Sequence, residues 1–246
     1  MKEPMISVTD LAMGFAEVTL FEHLSFEVER GEVFTILGGS GCGKSTLLRC
    51  IIGLETPRHG EISIAGIGRP NLDAGRPPFG VMFQSGALFG SMTVAENVAV
   101  ALKQWTDLTP DAIAAVVLAK LRQVGLESAG NKFPSEISGG MKKRAAIARA
   151  LALEPELIFL DEPSAGLDPV SAVELDDLIL SMNRAFGLTV VIVTHELESI
   201  FKISTRCIML DKATKGIIAS GDPKQLRGES PDPRVHSFFN RLARTS

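Results

Sequence analysis

Residues 38–45 read Gly-Gly-Ser-Gly-Cys-Gly-Lys-Ser, a spacing suited to holding a polyphosphate. Gly38, Gly39, Gly41 and Gly43 let backbone N–H groups turn inward around phosphate oxygens, with Ser40 and Cys42 between them. The apolar run 33–37 predicts a buried strand before the loop, and residues 44–52 predict a helix after it, ending near Gly53. Strand, glycine loop and helix form the setting that G-x-x-x-x-G-K-[ST] requires. The helix N-terminus adds positive potential at the same place. Lys44 would reach the β- and γ-phosphates, and the Ser45 hydroxyl would ligate Mg²⁺.

Four further groups fit this chemistry. Leu157-Ile158-Phe159-Leu160 predicts a buried strand, and it ends in Asp161 and Glu162. Paired carboxylates there are costly unless a cation is near, and nucleotide-bound Mg²⁺ is such a cation. Asp161 would hold the ion through its water shell, and Glu162 would polarise an attacking water as general base. The alternative is a solvated strand end, and Lys44 and Ser45 upstream weigh against it. His195 follows the apolar run 190–193, on the edge where parallel sheets bind ligands; it would donate to a γ-phosphate, or simply face solvent. Gln84 follows Val81-Met82-Phe83 and would reach Mg²⁺ or water from a strand end. Ser138-Gly139-Gly140 opens a helix bearing Lys142, Lys143, Arg144 and Arg149. Ser138 can cap it, and the glycines leave bare N–H groups, a second anion site. The bland alternative is a capped helix with a basic solvated face. Two half-sites in one chain suggest that two chains share each nucleotide.

These residues need a scaffold with strands and helices in alternation. Leu24, Phe26 and Val28 alternate with Ser25, Glu27 and Glu29, which predicts half-buried antiparallel strands in the first thirty residues. Helical spacing runs over 93–105, 110–124 and 139–153, so residues of about 86–153 read as an inserted helical lobe. Short apolar strands at 157–160 and 190–193 flank a helix over 171–186 that stops at Gly187. That order implies a parallel sheet with crossover helices. The tail, about 222–246, follows a strand from Gly216 with Pro-rich turns and a helix from about Pro233.

Composition limits the function classes. The chain has 246 residues, enough for one α/β domain with a lobe. With 25 basic and 29 acidic residues, net charge −4, no basic excess points to nucleic acid. Cys42, Cys50 and Cys207 have no metal-ligand spacing and read as reduced thiols. Met-Lys-Glu-Pro lacks an apolar signal core, and no apolar run approaches the roughly 18 residues of a spanning helix. The expectation is a soluble protein that meets a membrane only through partners.

As a set and in this order, the residues resemble those of ABC-type ATPases across essentially the whole chain. Gly38 to Ser45 match the Walker A loop, Gln84 the Q-loop, Ser138-Gly139-Gly140 the signature, Asp161 and Glu162 the Walker B end, Ala165-Gly166-Leu167-Asp168 the D-loop, and His195 the switch histidine. The resemblance implies an α/β fold: a P-loop NTPase with an antiparallel β subdomain, a RecA-like parallel core and the inserted helical lobe. It implies ATP and Mg²⁺, with Thr46 joining the nucleotide contacts and Ser45, Gln84 and Asp161 at the metal. It implies a head-to-tail homodimer with ATP between one copy's Walker A and the other's signature. The family's adenine-stacking aromatic is usually tyrosine; this chain has none, and Phe15 stands at the matching distance. Ile137 and Met141 depart from the usual Leu-Ser-Gly-Gly-Gln signature, which puts the hydrolysis rate in question.

Met141, the 83–89 segment Phe-Gln-Ser-Gly-Ala-Leu-Phe and the tail run Pro231-Asp232-Pro233-Arg234-Val235 are similar to the Mla/Mce group. That resemblance implies phospholipid transport between envelope layers, at the cytoplasmic face of a bacterial inner membrane. The partners implied are a multi-span permease, an Mce-domain lipid-binding protein and a small STAS-domain subunit. Residues 85–92 carry four apolar side chains in a loop-like setting and are expected to dock permease helices; a locally buried turn is the alternative. Competing classes are an ABC ATPase for another substrate, a non-transport ABC ATPase acting on nucleic acid, a P-loop kinase, and a subunit that binds without hydrolysing.

Overall fold

The alternating N-terminal segment forms β1 (Ile6–Phe15) and β2 (Val18–Val28), which pair antiparallel with Ile6 opposite Val28 and Phe15 opposite Val18. The chain is described by a computed structural model that covers residues 3–73 and 75–241. β3 (Val33–Gly38) is buried at every position, and its one polar side chain, Thr35, donates to Ser204 Oγ at 2.8 Å. α1 (Lys44–Ile51) follows the glycine loop and buries Leu47, Leu48, Cys50 and Ile51. β4 (His59–Ile64), which periodicity did not reveal, adds to the far side of β1 and gives the order β2-β1-β4. The described residues form two compact units, one that runs to Pro77 and resumes at Thr189, and one that spans Pro78–Leu188.

The second unit contains β5 (Gly80–Met82) paired parallel with β6 (Leu157–Asp161), with Met82 opposite Leu160. Between them lie α2 (Val94–Trp105), α3 (Pro110–Gln123) and α4 (Gly139–Ala150). Each helix starts where its cap allows: Thr93 caps α2 in a capping box with Glu96, Thr109 caps α3, and Ser138 caps α4. α5 (Pro169–Phe186) begins on an Asp168 cap and stops at Gly187, whose φ of 63° is left-handed. Gly80 is required by packing, since a Cβ there would come within 2.1 Å of the Ala150 carbonyl oxygen.

Back in the first unit, β7 (Thr189–Val193) pairs parallel with β3 on one side, and β8 (Arg206–Asp211) does so on the other. α6 (Leu197–Ile203) lies between them in sequence, and β9 (Gly216–Gly221) closes the order β7-β3-β8-β9 with an antiparallel pair. The tail differs from the expectation. A helix, α7 (Pro223–Glu229), occupies part of the segment expected to turn, and α8 (Pro233–Phe239) follows. Pro223 and Pro233 each sit in a first helical turn behind an aspartate cap, where a missing N–H costs nothing. The end of the expected tail, residues 242–246, lies outside the described residues. No helix of the described residues is long and apolar enough to cross a membrane.

Candidate active site

In the first unit the glycine loop leaves the C-terminal end of β3. Gly38 has φ 144°, and a Cβ on it would lie 2.4 Å from the Leu210 carbonyl oxygen and 2.6 Å from Cys42 Sγ. The loop can therefore close only over glycine at this position. Gly43 is the left-handed N-cap of α1, φ 96°, and a Cβ there would press on the Phe21 ring at 3.0 Å. No side chain caps α1 and no acidic residue stands in its first turn, so its positive end is not neutralised from within the helix. Lys44 Nζ donates to the carbonyls of Gly38 at 2.9 Å and Gly39 at 3.1 Å, which folds the ammonium over the loop. Ser45 and Thr46 are half-buried in the first turn, and Gly41 and Ser40 are exposed. Cys42 is buried, and burial pushes its thiol up from the ordinary range, so it serves the loop through its backbone.

Two other expected residues lie in this unit. β7 runs beside β3 with Val193 opposite Ile36, so His195 emerges from the same edge as the glycine loop. Its ring is exposed, with Nε2 3.7 Å from Glu196 Oε1. Phe15 ends β1 and is 51% exposed, so a flat face is open to stacking. The turn after it is fixed by Arg58, whose guanidinium donates to the Ala16 carbonyl.

In the second unit β5 and β6 run parallel, so Gln84 and the Asp161–Glu162 pair leave the same edge. The Gln84 side chain is exposed, while Asp161 and Glu162 are only 7% and 8% exposed. Glu162 has φ 48°, a left-handed conformation uncommon outside glycine. Ser138 Oγ accepts from the Met141 N–H at 3.3 Å. A Cβ on Gly139 or Gly140 would make ordinary contact with Leu167 at 3.8 Å or Ser171 at 3.7 Å, so the signature turn lies beside the start of α5. There the Asp168 carboxylate accepts from the N–H groups of Val170 and Ser171, and Ser171 is the main reason its pKa is lowered.

Sequence reasoning missed three side chains in this unit. Lys143, which only the alternative reading placed, on a solvated basic face, is 7% exposed and donates to the main-chain carbonyls of Gln84 and Glu162. Arg149 donates to the Gly86 and Ala87 carbonyls at 2.8 and 2.7 Å. Asn97 is fully buried; its Nδ2 donates to the carbonyls of Phe89, Met92 and Thr93, and its Oδ1 accepts from Phe89 N–H. The available signal was position: Lys143 shares a helical stripe with buried Ala146, Ile147 and Ala150, and Asn97 one with Val94 and Val98.

The glycine cradle, the uncapped α1 terminus and Lys44 fit a triphosphate. No group of three or more His, Cys, Asp or Glu among the described residues is placed to hold a metal, so a divalent ion would need the phosphates to complete its ligands.

Residues 21–165 match the family model described as ABC transporter. Over 244 residues the chain is 41% identical to the intermembrane phospholipid transport system ATP-binding protein MlaF of Escherichia coli K12, covering 97% of this chain and 90% of that one. It is 40% identical to the probable ribonucleotide transport ATP-binding protein mkl of Mycobacterium leprae, covering 96% of this chain and 68% of that one. Among solved structures it is similar to the dimeric post-hydrolysis cassette MJ0796 bound to ADP and Pi, at TM-score 0.78 and 28% identity, covering 89% and 98% of the two chains. The cbiO1 structure from Clostridium perfringens, part of the transporter complex cbiONQ, matches at TM-score 0.82 and 28% identity, covering 97% and 100%.

Proposed function

The chain belongs to the ABC transporter family and is an ATP-binding, ATP-hydrolysing subunit of that family; from that premise we propose that it drives phospholipid transport across a bacterial envelope. The observation that carries this reading is identity of 41% over nearly the whole length of a phospholipid transport ATPase. In this reading Lys44 and the 38–46 backbone hold the phosphates, and Phe15 stacks on adenine. Ser45, Gln84 and Asp161 would hold Mg²⁺, which would neutralise phosphate charge. Glu162 activates water as general base, and His195 donates to the γ-phosphate. A second copy of the chain supplies Ser138, Gly139 and Gly140 to close each site.

Residues of about 86–153 act as the signature lobe of one ABC ATPase domain. Phe89, half exposed on the loop that Asn97 pins, belongs to the surface that meets a multi-span permease. An Mce-domain protein and a STAS-domain subunit complete the complex, which places this chain at the cytoplasmic face of an inner membrane. A second reading, another cargo such as a ribonucleotide, is favoured by the mycobacterial relatives, although this chain spans only about two thirds of their length.

The test is purification from native membranes in mild detergent, with mass spectrometry of co-purifying proteins and lipids. A permease, an Mce-domain protein and bound phospholipid are expected. A permease of another class would overturn the substrate, and soluble or nucleic-acid partners alone would overturn transport.

A further inference from the structure

Lys143 lies in the second turn of α4, behind the Ser138–Gly140 turn, and is 7% exposed. Its ammonium donates to the Gln84 carbonyl and, at 3.1 Å, to the Glu162 carbonyl. A buried ammonium is unfavourable unless paired and hydrogen-bonded. Desolvation pushes its pKa down, while the Asp161 and Glu162 charges pull it back up. Glu162 itself is left-handed at φ 48°, and such a conformation persists only where its surroundings hold it. Lys143 is one of the groups that hold it.

The grip has a second point. Arg149, six residues further along α4, binds the carbonyls of Gly86 and Ala87 just beyond Gln84. The helix therefore fastens the 84–87 loop at two places, and through Lys143 it fastens the same loop to the residue after β6. These contacts all run to main-chain oxygens, so they transmit backbone position rather than side-chain identity.

We propose that Lys143 is a positioning residue that ties the main chain of Gln84 to that of Glu162, so that the Gln84 loop, helix α4 with its Ser138–Gly140 turn, and the general base shift as one piece. The consequence is a short mechanical path: displacement of the 84–92 loop reaches the backbone of Glu162 through one side chain. A displacement near 1 Å at a reacting group is enough to change rate by about a hundredfold. This inference rests on the roles given to Gln84 and Glu162 in the proposed function.

The test is steady-state hydrolysis of Mg²⁺-ATP by the full chain, with ATP affinity measured separately. It compares wild type, Lys143→Met, Lys143→Arg, Gln84→Ala and the double variant Lys143→Met with Gln84→Ala. Lys143→Met is expected to lower kcat by roughly 10- to 100-fold while ATP affinity stays within about threefold, a loss confined to the reacting state. Lys143→Arg, which keeps a buried cation with several donors, recovers most of the rate. The double variant loses less than the product of the two single losses, because the part of the Lys143 effect that runs through the Gln84 side chain is already gone in Gln84→Ala.

Three results would overturn the inference: kcat of Lys143→Met within twofold of wild type, weakened ATP affinity with kcat unchanged, or losses that multiply in the double variant. Should Lys143→Met not fold, Lys143→Gln, whose shorter amide cannot span both carbonyls, is read by the same criteria. Glu162→Gln is the control. If it turns over at the wild-type rate, the roles assigned in the proposed function fail; if it is inactive, the Lys143 results bear on Lys143 alone.

Discussion

Glu162 shows how much at a single residue was open to sequence reading and how much was not. Its type and place after an apolar strand were plain, because a carboxylate pair in a sequence that also carries a phosphate loop has few other uses. Its left-handed backbone, which costs about 1–3 kcal/mol, left no mark in the sequence. A solvated face was the alternative for Lys143 because it stands in a basic run, and a run of like charges usually faces water. Its burial follows from sharing a stripe with Ala146, Ile147 and Ala150. Two predictions belong at this scale. Lys44→Ala removes the cation that the Gly38 and Gly39 carbonyls hold over the loop; nucleotide binding measured by calorimetry, or hydrolysis, is expected to be lost, and unchanged turnover contradicts the phosphate assignment. Met141→Gln restores the usual signature residue on a half-buried position and is expected to keep activity in a phosphate-release assay; complete loss would give Met141 a role not described above.

Among elements, long periodic helices and most buried strands were legible within a few residues, since burial imposes a pattern the sequence must keep. β4, α6, α7 and the buried strand β8 were not. β4 presents exposed positions beside buried ones with no clean alternation, and α6 and α7 are seven residues each, too short to show a period. Tertiary contacts hold these elements instead. Val235 and Phe239 of α8 are buried in the cluster that includes Leu37, Ile200 and Met209, so the tail helix packs on the elements that carry the glycine loop. Arg234 clamps the start of that helix, pairing with Asp232 at 2.6 Å and with Asp211 of β8 at 3.0 Å.

The Arg234 hydrogen bond holds the Asp232 carboxyl at about 2, below its ordinary 3.8. A lowered folded pKa favours the folded state above the unfolded value, and that contribution is lost as pH falls through the folded one. Melting temperature is therefore expected to fall between about pH 4 and pH 2 partly through this group, and Asp232→Asn should flatten that slope. An unchanged slope would show that the clamp does not titrate with folding. Asn97→Ala leaves several main-chain groups of the 89–93 turn without partners and should cost about 1–3 kcal/mol in denaturant unfolding. A smaller cost means that water replaces the amide.

At the scale of the whole molecule, the family was legible because its motifs are short, ordered and each tied to phosphate chemistry. The cargo was less so, since a motor subunit need not touch what its complex moves. The two turns read as anion sites, one at α1 and one at α4, stand in different units of one chain. The proposed function requires that a second copy bring the α4 turn to the first copy's nucleotide. ATP would then join two copies, and hydrolysis would release them, an alternation driven by loss of the γ-phosphate contacts.

The measurement that tests this most directly is the mass in solution of the Glu162→Gln variant with saturating Mg²⁺-ATP, by light scattering after size exclusion. The account predicts a stable dimer with two ATP molecules retained, while the same variant with ADP, and the wild type after turnover, run as monomers. A Glu162→Gln chain that binds ATP and remains monomeric would contradict the shared site and, with it, the motor mechanism.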